Sequence, residues 1–487
     1  MAQFLHKHIR LILLLSFFCA LYCLISLVNH YNFRTYGFDL GIYNNVLFDY
    51  SQFELNDNPV MHREFDNILS DHLSLYHFVF APFRYLFGSW TLLLFQIASI
   101  LFGAIGIHKL ILFLSESKKT ALISTFHFLS MWGIFSALSF DYHDNVVATM
   151  FIPWLFLSVL QKNIRVTIIW SVIICISKEN ISLWLAFIFL GIGIWKYKDV
   201  RIRKISAWGT IGALLYFIIA IKVVMPAMVN EGTSYGHLKY SVLGNNMGEY
   251  IETLVLRPKY AFSLLFENHL DNTVYNGIKT EFFFVLLLSG GVALLYKPQF
   301  ILMLIPIFIQ KLYNDDYAKW GINNHYSVEF APILTIVFAV WIIDVVRTKK
   351  YRQVFIMTGA ILCFIVNLSV IDSRTSKWYN SKALRFWDSG HYSRSFNVAQ
   401  VHDYLETIPS DAKVCAQNML VPHLAFREDI YTFPYIRDAE YIALLPGAYA
   451  PYPLKKQSYN KKIEDLRNNA QYNTVIDTKD FILFEKQ

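Results

Sequence analysis

The stretch from residue 166 to 195, VTIIWSVIICISKENISLWLAFIFLGIGIW, decides how the whole chain is read. It is apolar from end to end except for Lys178, Glu179 and Asn180 near its middle. As one helix it would carry two charges inside the hydrocarbon, and it would exchange the side of every later loop. Lys196, Lys198, Arg201, Arg203 and Lys204 would then fall outside, against the tendency of short basic loops to stay in the cytoplasm. As two spans, 166–177 and 181–195, it keeps that cluster inside. The chain is therefore expected to break at Lys178-Glu179-Asn180.

Working outward, apolar runs of roughly 15 to 20 residues, close to what a ~30 Å hydrocarbon core needs, recur near 9–29, 90–113, 119–138, 146–161, 206–224, 280–296, 299–313, 328–346 and 353–371. With the two halves of the central stretch they make about eleven transmembrane helices. Composition agrees: 55% hydrophobic, 17% aromatic and 16% charged residues over 487 exclude an ordinary water-soluble domain. With the N-terminus cytoplasmic, Lys7 and Arg10, Lys118 and Lys119, Lys162 and Arg165, the 196–204 cluster, Lys297, and Arg347 to Arg352 all face inward. The formal charge of +7 is mostly this positive-inside signature, which leaves a nucleic-acid partner little to explain. The first span has a basic flank but about 20 apolar residues and no small-residue cleavage site, so it is read as retained. Cys19, Cys23, Cys175 and Cys363 lie in spans and Cys415 is alone in the tail, so no disulfide framework is indicated.

The fold expected is thus an α-helical polytopic membrane domain, residues 1–371, with a large first outer loop at 30–89, followed by an extracytoplasmic α/β domain at 372–487. In a bacterium these would lie in the inner membrane and the periplasm. In the tail, Val398 to Ile408 has helical spacing. Segments 412–416 and 441–445 read as strands, and 474–477 with 481–484 as a terminal hairpin.

This topology sorts ionisable residues to one side. Asp39, Asp71 and His72 fall in the first outer loop, Asp141, His143 and Asp144 in the second, Lys178 and Glu179 in the third, and His325 with Tyr326 at the outer edge of the tenth span. Ionisable groups at span ends are costly unless paired or hydrated, so their accumulation is a functional signal. Each also has a structural explanation. Asp39 is a good N-cap for a helix beginning near Leu40, His72 suits an interfacial position, and Lys178-Glu179 neutralises itself. The Asp141-Tyr142-His143-Asp144-Asn145 turn holds more polar groups than a helix-to-helix turn needs. His127, within the third span, reads as a hydrogen-bonded packing residue.

In order along the chain, YGFDLGIYNN (36–45), SDHLSLYHFVFAPFRYLF (70–87), FDYHDN (140–145), KEN (178–180) and NNHYSVEFAP (323–332) resemble the membrane-protein family DUF2079, with its patterns FDLGIFDQ, GDHFSP, FDFHPE, KED and HY. The tail, IPSDAKVCAQNMLVPHLAFREDIYTFP (408–434), is similar to that family's outer domain, so the resemblance covers nearly the whole chain. Two departures stand out: Leu75 where the family often has proline, and Asp144 as the carboxylate after His143, with the proline lost. The family's architecture in turn resembles the GT-C glycosyltransferases, which take sugars from polyprenyl-phosphate donors at the outer membrane face.

The resemblance implies that Asp39, an acidic residue of the first outer loop, is the catalytic base. Asp71, His72, Lys178, Glu179, His325 and Tyr326 are the implied substrate contacts. A leaving lipid phosphate needs a cation, for which Lys178, Arg34, Arg63 and Arg84 are candidates. Asp141, His143 and Asp144 offer ligands to a divalent metal, Mn²⁺ or Zn²⁺, although no tight motif such as HExxH is present. Segments 42–55, 73–87 and 260–270 are aromatic and apolar enough to lie in the membrane plane beside a lipid chain. The expected partners are a polyprenyl-phosphate-linked sugar, membrane lipid, and an acceptor that is a glycan, a lipid or a protein. The alternative is a transporter or flippase of a lipid-linked or small substrate; the sequence shows no internal repeat of the kind transporters carry.

Overall fold

The computed structural model describes residues 2–57, 59–61, 67–228, 239–370, 385–447 and 452–487. They form two compact units. One holds Met1–Tyr22, Gln96–Val224 and the residues from Ser234 to Arg385; the other holds Cys23–Phe95 and Phe386–Gln487, with a short piece starting at Met225.

The first unit is a helical bundle. The central stretch divides as its charges require: one helix covers Ile164–Cys175, the next Glu179–Trp195, and Lys178 between them is extended at φ −168°, ψ 143°. Glu179 opens the second helix, where a negative charge is favoured by the amide dipoles of the first turn. Each expected span coincides with helical structure; Thr91–Ser115 matches its expected 90–113 to within two residues, whereas Val200–Ile219 and Lys349–Val370 begin six and four residues before the expected 206 and 353. Length and composition single out fewer membrane crossings. Among the described residues four helices are long and apolar enough, His8–Tyr31, Tyr76–Ser115, Val200–Ala227 and Lys349–Val370. A fifth is reached if Lys118–Leu129 and Trp132–Leu138, bent by 45°, make one span.

Two bends in the bundle have identifiable causes. Met131 leaves helical geometry at ψ 133°, and the helix restarting at Trp132 carries Gly133 against the backbone of Ser327. A methyl group at Gly133 would fall 2.2 Å from the Ser327 carbonyl oxygen, so only glycine permits the approach. The helical run from Ile278 to Tyr296 is interrupted at Ser289 and Gly290, the latter at φ 101°. The Ser289 carbonyl released by that break accepts a hydrogen bond from His127 Nε2 at 3.2 Å, which makes His127 the packing residue it was expected to be.

The second unit contains a five-stranded sheet with strands β1 (Val414–Ala416), β2 (Ile430–Thr432), β3 (Tyr441–Leu444), β4 (Tyr472–Asp477) and β5 (Ile482–Lys486) in the order β2-β1-β3-β5-β4. β1 is parallel to β2 and β3, while β5 is antiparallel to β3 and β4. The expected helix (Val398–Glu406), the two inner strands and the terminal hairpin are present. One face of the sheet packs Ile442, Leu444, Ile482 and Phe484 against Tyr459, Ile463 and Leu466 of helix Lys456–Arg467.

The first loop belongs to this same unit. Asn45 donates its amide to the carbonyls of Ala425 (3.2 Å) and Arg427 (2.8 Å), and Asn44 donates to that of Pro422 (3.0 Å). Buried polar groups must find partners; here residues of the loop and the tail satisfy one another.

Candidate functional site

In the first unit the FDYHDN turn is fixed by Gln96. Its amide nitrogen donates to the Asp141 carbonyl at 3.3 Å, and its amide oxygen accepts from the backbone N–H of His143 at 3.0 Å. The His143 ring also donates from Nδ1 to the Asp141 carbonyl at 3.3 Å. Asp144 accepts the Tyr142 hydroxyl at 2.6 Å. Asn145 donates to the Glu329 carboxylate at 2.7 Å, which ties this turn to the start of helix Phe330–Val345. The His143 and His325 rings stack with centroids 3.5 Å apart, and His325 lies 4.0 Å from the Tyr326 ring.

The loop that carries His325 and Tyr326 is held by buried Lys311. Its ammonium donates to the carbonyls of Lys319 (2.7 Å), Gly321 and Tyr326 (3.4 Å) and to the Ser327 hydroxyl (3.0 Å). An ammonium has three protons, so four acceptors on one loop leave it nothing for a ligand. Ser136 adds a bond to the Ile322 carbonyl at 2.7 Å. Lys311 is thus a positioning residue.

A pocket of about 40 Å³ opens beside this loop, lined by Lys178, Lys319, His325, Tyr326, Glu329 and Asn145 among others. It has room for roughly three water-sized groups, the scale of a phosphoryl group. Lys178 and Lys319 are its available cations. Burial lowers the pKa of Lys319, and the charges of Lys178 and Lys239 lower it further against the opposing pull of Asp316. Lys178 and Lys319 place two amino groups at one small pocket, and when protonated they favour an anion there. Glu329 supplies the one carboxylate of the lining; its Oε2 is buried and has no hydrogen-bond partner among the described residues.

Of the sequence candidates, Lys178, His325 and Tyr326 thus line one pocket, with His143 stacked on His325. Asp141, Asp144 and Glu179 are buried in the same unit. Sequence reading missed Gln96, Lys311, Lys319 and Glu329. Lys319 stood six residues before His325, and Glu329 inside the quoted NNHYSVEFAP, so proximity to a selected motif was the usable signal. No group of three or more His, Cys, Asp or Glu side chains is placed to hold a metal ion among the described residues. Asp141, His143 and Asp144 therefore do not fit a shared ion.

Asp39, Asp71 and His72 belong to the second unit. Asp39 is not an N-cap: Tyr36 takes that place, extended at φ −129°, ψ 153°, and Asp39 sits within the first turn of Gly37–Gly41. That turn rests on helix Val421–Leu424. The Gly37 N–H donates to Asn418 at both its carbonyl (2.8 Å) and its side-chain oxygen (2.6 Å), and a methyl at Gly41 would meet Val421 Cγ1 at 2.8 Å. The glycines flanking Asp39 are therefore what lets the FDLG turn lie flat on the tail. Asp71 ends the short helix Ile68–Asp71 and His72 is extended after it, both half-buried.

The arginine candidates of the first loop fare unequally. Arg34 is buried and donates to the carbonyls of Gly390 (2.8 Å), His391 (2.5 Å) and Ser393 (2.7 Å), so its guanidinium is structural. Arg84 bonds Ser51 and lies over the rings of Tyr85 and Phe48. Arg63 lies outside the described residues.

The family model for DUF2079, described as a predicted membrane protein, matches residues 29–483. The chain belongs to this family. As a DUF2079 protein it shares its fold with ArnT from Cupriavidus metallidurans. The apo crystal structure of ArnT superposes with a TM-score of 0.51 at 10% identity, covering 96% of this chain and 97% of ArnT. ArnT bound to undecaprenyl phosphate gives 0.49 over the same coverage and identity. No protein of curated function matches this DUF2079 chain by sequence.

Proposed function

We propose that this protein is a GT-C-like membrane glycosyltransferase that moves a sugar from a polyprenyl-phosphate donor to an acceptor at the outer face of the membrane. The observation that carries the reading is the pocket beside the 317–329 loop, where Lys178 and Lys319 present two cations at a space of phosphoryl size. The shared fold supports it, and ArnT, which has been crystallised with undecaprenyl phosphate, makes a polyprenyl phosphate the natural carrier to test. In the reaction proposed, the acceptor hydroxyl oxygen bonds to the anomeric carbon and gives its proton to a general base, the role that the family resemblance offers to Asp39. The bond from the anomeric carbon to the donor phosphate oxygen breaks, and the lysines hold the charge that develops on the lipid phosphate. His325 and Tyr326 orient the donor beside them. Eleven spans, a cytoplasmic N-terminus and a C-terminal domain outside the bacterial inner membrane complete the proposal.

The test compares polyprenyl-phosphate lipids and surface glycans by mass spectrometry in cells that differ only in this protein. Loss of one sugar from the glycans together with accumulation of its loaded lipid is the expected result. If neither pool changes, the glycosyltransferase reading falls. Asp39→Asn and Lys178→Gln, produced at the wild-type level in the membrane, should reproduce the loss. Each such variant is expected to lower transfer by roughly a hundredfold or more, the scale of a lost general base or charge-stabilising group. Full transfer by Asp39→Asn would show that it is not the base.

A further inference from the structure

Lys109 is a charge for which the bundle supplies no counter-charge. It lies in helix Thr91–Ser115, exposed, with no hydrogen bond or ion pair among the described residues. Its ammonium stands 4.9 Å over the Trp154 ring. Beside it runs a groove of about 460 Å³, walled by Phe113, Leu157, Trp170 and Trp154, with Gln161 at its edge. That volume falls within the ~300–1,000 Å³ of ordinary ligand sites.

The floor of the groove is built rigidly. Trp154 donates its indole N–H to the Phe102 carbonyl at 3.0 Å and stacks on the Phe102 ring at 4.7 Å, while Trp170 lies 5.9 Å from it. A methyl at Gly106 would come within 2.7 Å of Trp154 Nε1, so glycine is what admits the indole. The groove is walled by helices Thr91–Ser115, Ile152–Leu160 and Ile164–Cys175; Glu116, Lys118 and Lys119 follow the first, Lys162 lies between the second and third, and Arg165 is in the first turn of the third. Lys162 is spent on Asp199 at 2.7 Å, whereas Arg165, beside the lining residue Val166, is exposed. A lysine near a helix end ordinarily runs its stem along apolar surface towards water. That habit explains an exposed Lys109, but not an aromatic-floored groove beside it.

We propose that this groove binds an anionic phospholipid. The phosphate sits on Lys109 with Gln161 as hydrogen-bond donor and Arg165 nearby, and an acyl chain lies along Phe113, Leu157 and Trp170. The choice of occupant follows from charge. The lining of the groove offers one cation, Lys109, and no carboxylate, and basic pockets between membrane helices are where anionic head groups collect.

Native mass spectrometry of the full-length protein, titrated separately with phosphatidylglycerol, phosphatidylcholine and undecaprenyl phosphate, tests this. Wild type should retain phosphatidylglycerol preferentially. Lys109→Ala should weaken that binding on the order of fivefold, the effect of one basic residue near a lipid surface, and Lys109→Arg should restore it. Val166→Trp, which fills the groove while keeping the charge, should also weaken it. Equal retention of phosphatidylcholine by wild type, undiminished phosphatidylglycerol binding in both Lys109→Ala and Val166→Trp, or stronger displacement by undecaprenyl phosphate at this site would each overturn the assignment. Surface-glycan transfer is read separately, so loss of this site and loss of the proposed activity are distinguishable.

Discussion

Asp49 shows what burial does to a single carboxyl in the first loop. Its pKa is pushed up to about 7, chiefly by desolvation and further by the charges of Asp57, Glu54 and Glu428, with only the Asn56 amide at 2.8 Å working against it. The folded protein therefore binds a proton at Asp49 that the unfolded chain has already released over the range from about 3.8 to about 7. Stability from this group is full below the unfolded value and is lost as pH rises through the folded one. Asp49→Asn, which keeps an acceptor for Asn56 and cannot ionise, should flatten that loss. Thermal unfolding of both proteins from pH 4 to pH 8 checks it: wild type should fall relative to the variant as pH rises, and parallel curves would show that Asp49 ionises without cost. The sequence offered no sign of this residue, because Asp49 looks like any other acid of the first loop until Asn45, Asn56 and the tail close around it. Lys178 was legible for the opposite reason. A charge inside an apolar run has few places to go, and the helix break follows from the sequence alone.

Among elements, the turn Gly37–Gly41 depends on an approach that residue types alone do not announce. Gly41 was quoted in the FDLG motif, but its role appears only when Val421 is seen 2.8 Å from where its side chain would begin. Gly41→Ala should cost about 1–3 kcal/mol, the usual scale of overpacking a tight contact, read as a lowered unfolding midpoint. Val421→Ala removes the opposing Cγ1 and should recover part of that loss when combined with Gly41→Ala, so the double mutant should be less destabilised than the sum of the singles. Strict additivity would mean that the two residues do not press on one another. The same physics explains which elements were legible. The hairpin of β4 and β5 advertises itself by alternation and length, whereas β2 is three residues, Ile430–Thr432, and is a strand only because β1 lies beside it. The bend at Met131 likewise depends on Gly133 meeting Ser327, nearly two hundred residues away, which no local pattern encodes.

At the scale of the whole molecule the question is which helices cross the membrane. The helix Ile164–Cys175 has 12 residues and rises only about 18 Å, short of a ~30 Å hydrocarbon core. Glu179–Trp195, at 17 residues, comes closer. If Lys178 were swallowed with both as one bent crossing, the loop at 196–204 and every segment after it would change sides. The charges argue against that arrangement, since the five basic residues at 196–204 would then be carried across the membrane, while the two-span arrangement keeps them with Lys118, Lys162 and Lys297. Reporter fusions decide it: alkaline phosphatase, active only outside, and green fluorescent protein, fluorescent only inside, joined in turn after residue 199 and after Gln487. Two spans and an odd total predict fluorescence at 199 and phosphatase activity at the C-terminus. Phosphatase activity at 199 with fluorescence at the C-terminus would mean a single span. Lys319 and His325 would then face the cytoplasm and Lys178 would lie within the single crossing, and the outer-face reaction proposed for them would have to be abandoned.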